Sequence, residues 1–220
     1  GVPGIIIGHN AQIAWGFTNL TTDVADLYVE QVEGDTYLRD GAWVPFETRE
    51  ETLKVAGGDD VSLTVLTTVH GPIVSGLTDA FTQIAEQGTA NATDGEQYAV
   101  SLRWTALEPG TTASAIFAMN RSTDWQQFRA SAELFQVPAQ NLVYADRAGN
   151  IGYQAPGLLP IRGAGDGWMP QPGWDSAYDW QGFIPFDELP STYNPDDGYI
   201  VTANNAIVDE NLVVVGVRSQ

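Results

Sequence analysis

The 220-residue chain has no cysteine, few basic residues and no long apolar run. Without cysteine there are no disulfides, thiolate nucleophiles or zinc–thiolate sites. Nine basic residues against 28 acidic residues give a formal net charge of −19, the reverse of the basic surface that nucleic-acid binding requires. No apolar stretch approaches the ~20 residues of a membrane-spanning helix. We therefore expect no nucleic-acid partner and no membrane span.

Common catalytic motifs are also missing. The sequence contains neither the G-x-S-x-G motif of serine hydrolases, nor the H-E-x-x-H zinc motif, nor a phosphate-binding glycine loop. His9 and His70 are its only histidines, too few for an ordinary zinc site. Each lies in a turn, where the ring either bonds backbone carbonyls or acts as a catalytic base. The residues alone thus provide no complete catalytic set.

What the sequence does contain indicates a packed α+β fold rich in strands. The hydrophobic content is 43%, with seven Trp, eight Tyr and eight Phe, enough for a large core. At this length we predict one domain. Its four regions are a β-rich hairpin region (26–75), a loop excursion with at most a short helix (76–97), a strand-helix-helix-hairpin segment (98–160), and an irregular segment with a last strand (161–220).

Local patterns predict several individual elements. The β-branched run Ile5–Ile7, bounded by glycines, predicts a buried strand, and residues 199–203 are predicted as the last strand. The pair Asp40-Gly41 is typical of a tight hairpin turn. Two helices are predicted over 112–120 and 123–135, and the spacing Thr123-x-x-Gln126 suggests a capping box at the start of the second.

Two polar positions are candidates for a site. Asp23 and Asp26, with the Ala25 carbonyl between them, offer the oxygen ligands that Ca²⁺ prefers, although solvated loop acids or an Asx turn explain them equally well. Asn141 lies between a helix-ending proline and an apolar strand. Its amide either bonds neighbouring backbone or points into a cleft as an oxyanion donor.

An ordered set of motifs over almost the whole chain resembles the penicillin acylases. The matching blocks are residues 3–10 (PGIIIGHN), 13–18 (IAWGFT), 23–28 (DVADLY), 68–73 (TVHGPI), 141–152 (NLVYADRAGNIG), 180–185 (W-x-G-x-x-P) and 194–200 (N-P-x-x-G-Y-I). Any one block would be weak evidence, but the set in this order is specific.

The resemblance implies an N-terminal-nucleophile hydrolase with an αββα core. In that family a precursor cleaves itself and exposes a serine whose own α-amine serves as the base, so no histidine is needed. The nucleophile should lie some tens of residues before the segment that matches Gly1. We therefore expect a fragment of the β chain, inactive alone, whose partners are the α chain and the remainder of the β chain. The parent is expected to be a bacterial protein exported to the periplasm or the medium.

The resemblance also assigns roles to residues of this chain. The implied substrates of the parent protein are small N-acyl amides such as penicillins or acyl-homoserine lactones. The implied cofactor is a structural Ca²⁺. The implied catalytic residues are Asn141 (side-chain oxyanion donor), Asn19 (backbone N–H donor) and Arg162 (orientation of the nucleophile's surroundings), and the implied Ca²⁺ ligands are Asp23, Ala25 and Asp26.

One alternative from another class is a non-catalytic, Ca²⁺-stabilised, β-rich binding module. A Ser, Thr or Cys at a cleavage junction upstream in the parent would favour the hydrolase. For the isolated fragment we also expect uncovered apolar faces at Ile5–Ile7 and at residues 143–151, and hence self-association.

Overall fold

The computed structural model describes residues 4–88 and 96–204 as an α+β fold with many strands. The helices in these residues are α1 (Asp79–Gln87), α2 (Thr112–Met119) and α3 (Trp125–Glu133). The strands are β1 (Gly8–His9), β2 (Ile13–Asn19), β3 (Ala25–Glu33), β4 (Thr36–Arg39), β5 (Ala42–Pro45), β6 (Glu47–Leu53), β7 (Val61–Thr68), β8 (Gly71–Pro72), β9 (Gln97–Trp104), β10 (Gln140–Asp146), β11 (Ile151–Gln154), β12 (Pro160–Arg162), β13 (Gln171–Pro172), β14 (Trp180–Phe183) and β15 (Ser191–Tyr193).

The chain forms two compact units. Among the described residues, the first comprises 4–24, 105–161 and 182–204, and the second comprises 25–88, 96–104 and 162–181. The first unit is built on one sheet, and the second contains two. None of the described helices is long and apolar enough to cross a membrane.

The first unit is built on a five-stranded antiparallel sheet in the order β1-β2-β10-β11-β15. Strands β2 and β10 pair along their whole length, from Asn19 opposite Gln140 to Ile13 opposite Asp146. The buried core of this unit combines sheet residues with helix residues: Ile13, Trp15, Leu142 and Tyr144 from the strands, and Ala115, Ile116, Met119, Trp125, Phe128 and Ala132 from α2 and α3, with Phe135. Alternation along β2 and the helical spacing in α3 bring these side chains to one side.

The second unit is organised around strand β3. Strand β9 pairs with it antiparallel over eight residue positions along one edge, while along the other edge β13 pairs with it parallel at Tyr28 and Val29 and β4 pairs with it antiparallel at Val32 and Glu33. The β4–β5 hairpin turns at Asp40 and Gly41, both with positive φ (47° and 81°), as the Asp-Gly prediction requires. Strands β6, β7 and β8 form a separate three-stranded sheet. Helix α1 lies within the predicted loop excursion.

The predicted buried strand at Ile5–Ile7 is wrong. These residues form no strand, and their exposed fractions are 40 to 60%. Their backbone is bonded to side chains instead, because the Asn120 amide pairs with the N–H and the carbonyl of Ile5, and Trp15 Nε1 donates to the Ile6 carbonyl at 2.8 Å. The exposed isoleucines agree with an uncovered apolar surface, whereas self-association stays a prediction.

Two further predictions need correction. Residues 199–203 form no strand, and both Tyr199 and Val201 are exposed; the last strand among the described residues is β15. The second helix is capped one residue later than predicted. Asp124 is the N-cap, its carboxylate accepts from the Gln127 N–H at 2.8 Å, and the Gln127 side chain accepts from the Thr123 N–H.

The cap assignment gives a test. Asp124→Ala should lower the free energy of unfolding by about 1 kcal/mol, because the first turn of α3 loses its side-chain acceptor. Thr123→Ala, the matched control one residue earlier, should change it by less than about 0.5 kcal/mol. Denaturant unfolding of both variants measures the difference. A larger loss for Thr123→Ala would contradict the structural cap.

Candidate active site

The two asparagines implied by the resemblance are bonded to each other in the first unit. Asn19 ends strand β2 and is exposed, whereas Asn141 is 1% exposed in the neighbouring strand β10. Asn141 Nδ2 donates to the Asn19 carbonyl at 3.0 Å, and its Oδ1 accepts from the Tyr153 hydroxyl at 2.6 Å. The buried amide thus fixes the peptide group that follows Asn19. The Asn141 side chain therefore bridges the Asn19 carbonyl and the Tyr153 hydroxyl.

Tyr153 is well suited to hold this bridge. Burial raises the pKa of its phenol above the ordinary value, so the hydroxyl stays protonated and can donate. The only orientation of the Asn141 amide that satisfies both neighbours has the oxygen toward Tyr153 and the NH₂ group toward Asn19. This geometry gives Asn141 a positioning role, while the second N–H of its NH₂ group leaves the role of oxyanion donor a prediction.

An apolar cavity of about 460 Å³ lies beside the same end of β2. Gln140, which pairs with Asn19 in the β2–β10 register, forms part of its wall. The other lining residues are Ile6, Phe17, Thr112, Ala113, Ile116, Phe135 and Pro138. A mostly apolar cavity next to a strand end with fixed backbone groups is the arrangement expected of a site for an apolar ligand. Composition and periodicity gave no signal for this cavity, because its walls come from four separate segments.

Arg162 lies in the second unit, buried against Asp26. Its Nε donates to Asp26 Oδ2 at 2.8 Å, and its Nη2 donates to Oδ1 at 2.7 Å. Trp180 Nε1 also donates to Oδ2, at 2.5 Å. This bidentate pair accounts for both carboxylate oxygens. Two of the three guanidinium nitrogens thus bond Asp26, and the implied role of Arg162 in orienting the nucleophile's surroundings stays a prediction.

The same contacts bear on the calcium prediction. Asp23 lies half-buried in the first unit, and Ala25 and Asp26 begin the second. Within residues 4–88 and 96–204 no group of three or more His, Asp or Glu side chains is arranged to hold a metal ion. Ca²⁺ requires six or more oxygens at 2.3–2.6 Å. Asp26 already accepts three hydrogen bonds from nitrogen donors, which would compete with Ca²⁺ for its oxygens, and the calcium site stays a prediction.

Sequence reasoning missed a buried ionic cluster in the second unit. Glu30, fully buried on β3, accepts at Oε1 from Thr68, Ser101 and His70 Nδ1, at 2.7 to 2.8 Å. His70 Nε2 faces Asp179 Oδ1 at 2.9 Å, and Arg39 pairs with the other Asp179 oxygen. A glutamate within the apolar run of β3 was the available signal. His70 thus bonds carboxylates, whereas exposed His9 contacts the Asn10 carbonyl as the structural interpretation expects.

Both carboxylates of this cluster are tuned by their partners. Burial alone would raise the pKa of Glu30, but hydrogen bonds from His70, Ser101 and Thr68 hold that pKa below its ordinary value. Burial likewise opposes ionisation of Asp179, and its bonds to Arg39 and His70 again lower the pKa overall. The cluster therefore carries ionised carboxylates at neutral pH.

Comparison with known proteins places these features in context. Residues 1–218 match the penicillin amidase family. Penicillin G acylase of Escherichia coli is 37% identical over 208 residues, 93% of this chain and 23% of that protein. Acyl-homoserine lactone acylase QuiP of Pseudomonas aeruginosa is 34% identical over 213 residues, 94% of this chain and 24% of that protein. The chain thus spans about a quarter of the length of these relatives.

A solved structure agrees with the sequence matches. Thermostable penicillin G acylase from Alcaligenes faecalis superposes with a TM-score of 0.77 at 31% identity, covering 94% of this chain and 35% of the matched chain. The many-stranded α+β fold therefore extends over nearly all of this sequence.

The ionic cluster predicts a pH dependence. Because the pKa values of Glu30 and Asp179 are lowered on folding, their stabilisation is present above the unfolded values near ~4 and is lost as pH falls through the folded values. His70→Phe keeps an aromatic ring stacked on Tyr28 but removes both N–H donors to the carboxylates. We therefore expect the free energy of unfolding to fall by about 3 kcal/mol at pH 7 and to decline less steeply as the pH is lowered. His9→Phe, at an exposed site, is the control. If the free energy of unfolding fell equally steeply from pH 7 to pH 3 in His70→Phe and in the parent, this assignment would be wrong.

Proposed function

Because the chain belongs to the penicillin amidase family, we propose that the whole protein hydrolyses the amide bond between an acyl group and an amine. Relatives named for penicillin G and for acyl-homoserine lactones both cut an N-acyl bond, and this shared chemistry defines the substrate class. The activity is assigned to the whole protein, since the chain spans about a quarter of these relatives. The chain contributes part of the site.

The apolar cavity beside Asn19 is the observation that carries this proposal. An acyl chain lying against Phe17, Ile116 and Phe135 would have its carbonyl at the mouth of the cavity, near the end of β2. There the backbone N–H of Asn19 would stabilise the oxyanion that forms when the carbonyl is attacked. A neutral apolar cavity accepts the acyl group and leaves the amine portion outside.

In this proposal Asn141 acts through Asn19. Its amide holds the carbonyl of Asn19, and the orientation of that peptide is passed along the backbone to the oxyanion donor. Donors that are fixed in advance cost no reorganisation during the reaction. Asn141 is therefore a positioning residue that does not touch the substrate.

The nucleophile is proposed to come from the remainder of the whole protein. A serine at a newly formed N-terminus, with its α-amine as base, would attack the acyl carbonyl, form an acyl-enzyme and release the amine; water would then release the acid. The 220-residue chain alone is expected to be inactive without the α chain and the rest of the β chain. A periplasmic or extracellular location is proposed for the parent.

Filling the cavity tests where the acyl group binds. Ala113 is exposed at the cavity wall, so Ala113→Leu should narrow the cavity without disturbing the core. In the processed whole protein, kcat/KM for a long-chain or phenylacetyl amide should fall about 10- to 200-fold, with little change for an acetyl amide. Ser114→Leu, exposed on the same helix outside the cavity, should change neither.

An equal loss for all acyl lengths in Ala113→Leu, or no loss at all, would contradict the assignment of the cavity. No hydrolysis by the unmodified whole protein over a broad acyl panel would instead favour the non-catalytic binding module.

The positioning role predicts linked effects of two substitutions. Asn141→Ala in the whole protein should lower kcat by about 10²-fold with little change in KM, because the oxyanion donor loses its fixed orientation. Tyr153→Phe should also lower kcat, but by a smaller factor, since it removes only the hydroxyl that bonds one end of the Asn141 amide. Tyr193→Phe, a partly exposed tyrosine on the same sheet, is the control. Unchanged kcat in Tyr153→Phe would contradict the bridge.

A further inference from the structure

The carboxylate of Asp26 has a complete set of partners within the second unit. Asp26 begins the buried part of β3 and is 2% exposed. Its two oxygens receive two bonds from the Arg162 guanidinium and one from the Trp180 indole, all between 2.5 and 2.8 Å. A planar, bidentate pair of this kind matches the shape of guanidinium to that of carboxylate.

The loop after Arg162 packs closely against the Arg162–Asp26 ion pair. Gly167 passes so close that an added Cβ would lie 2.5 Å from Asp26 Oδ1 and 2.6 Å from Arg162 Nε. It also has a positive φ of 76°, which favours glycine. A Ca²⁺ ion at the position of that Cβ would be at bonding distance from Asp26 Oδ1 but would also lie against Arg162 Nε, which belongs to a cation and has no lone pair to offer a metal.

The charge around Asp26 is also already balanced by cations of the chain. Arg103 is the register partner of Asp26 on β9, and its guanidinium lies 5.3 Å from the centre of the Trp180 ring. Arg162 and Arg103 therefore both lie near this carboxylate. A divalent cation here would meet like charge at short range.

From these contacts we infer that Arg162 is the built-in counter-cation of Asp26, and that Asp26 is not a calcium ligand in this protein. Arginine remains charged over the whole accessible pH range, so the buried carboxylate is neutralised without a metal. Arg162 is then a positioning residue that fastens the segment after β12 onto β3. The inference is independent of the proposed hydrolysis and corrects the role that the resemblance implies for both residues.

The first arm of the test measures calcium binding to the whole protein by calorimetry. Asp26→Asn should leave the Ca²⁺ affinity and stoichiometry of the whole protein unchanged, whatever calcium binds elsewhere. A fall of tenfold or more in Ca²⁺ affinity, with the variant folded by circular dichroism, would overturn the inference.

The second arm identifies the counter-cation by chemical rescue. Arg162→Ala should lower the Tm by on the order of 10 °C, because a buried carboxylate loses its partner. Millimolar ethylguanidinium should restore part of that loss by entering the vacated space, while the same concentration of Ca²⁺ should restore none. Arg49→Ala removes an exposed arginine of the same unit and should respond to neither.

Recovery with Ca²⁺ but not with ethylguanidinium would overturn the inference, and so would an Arg162→Ala variant as stable as the parent. Where Arg162→Ala does not fold, the double variant Asp26→Asn with Arg162→Gln decides. This double variant should fold and bind Ca²⁺ as the parent does, because a neutral pair of amide side chains replaces the ion pair. A double variant that has lost Ca²⁺ binding would overturn the assignment.

Discussion

Two carboxylates buried on one strand govern the architecture of the second unit. Asp26, Tyr28 and Glu30 alternate along β3 and so share one face of the strand. An ionised carboxylate is tolerated in a protein interior only where hydrogen-bonded partners surround it. The segment 162–181 brings Arg162 and Trp180 to Asp26, and its Asp179 joins the His70 ring that contacts Glu30. Tyr28 stacks on His70 and donates to the Tyr178 carbonyl. The return of this segment to β3 thus supplies what the buried charges need.

The first unit is organised mainly by apolar packing instead, with a few buried polar side chains. Its sheet buries Trp15, Leu142 and Tyr144 against α2 and α3. Two buried amides enter this sheet: Asn141 near the end of β2 bonds the Asn19 carbonyl and the Tyr153 hydroxyl, and Gln154 at the end of β11 bonds Arg129 and the Ala155 carbonyl. A rigid sheet can therefore hold one backbone group in a defined orientation beside an apolar cavity. Sites are commonly built in this way, on fixed strands that end at a loop.

Much of the fold followed from local patterns, and the exceptions have physical causes. The Asp40-Gly41 turn, the two helices and β10 are where propensity and tertiary pairing agree. The predicted strand at Ile5–Ile7 is wrong because the side-chain amide of a distant residue, Asn120, bonds the backbone of Ile5. No local pattern reveals such a contact. The ion pair of Arg162 with Asp26 joins residues 136 positions apart, so spacing could not predict it. The motifs identified the family; the contacts made by Asn141 and Arg162 required coordinates.

The central claim is that the acyl group of an amide substrate lies in the cavity beside Asn19. A crystal structure of the processed whole protein with a bound carboxylic acid product tests it most directly. The account predicts density for the acyl chain between Phe17 and Ile116, with a carboxylate oxygen within hydrogen-bond distance of the Asn19 N–H. An acyl chain bound on the opposite face of the sheet, against Ala14 and Val143, would contradict it.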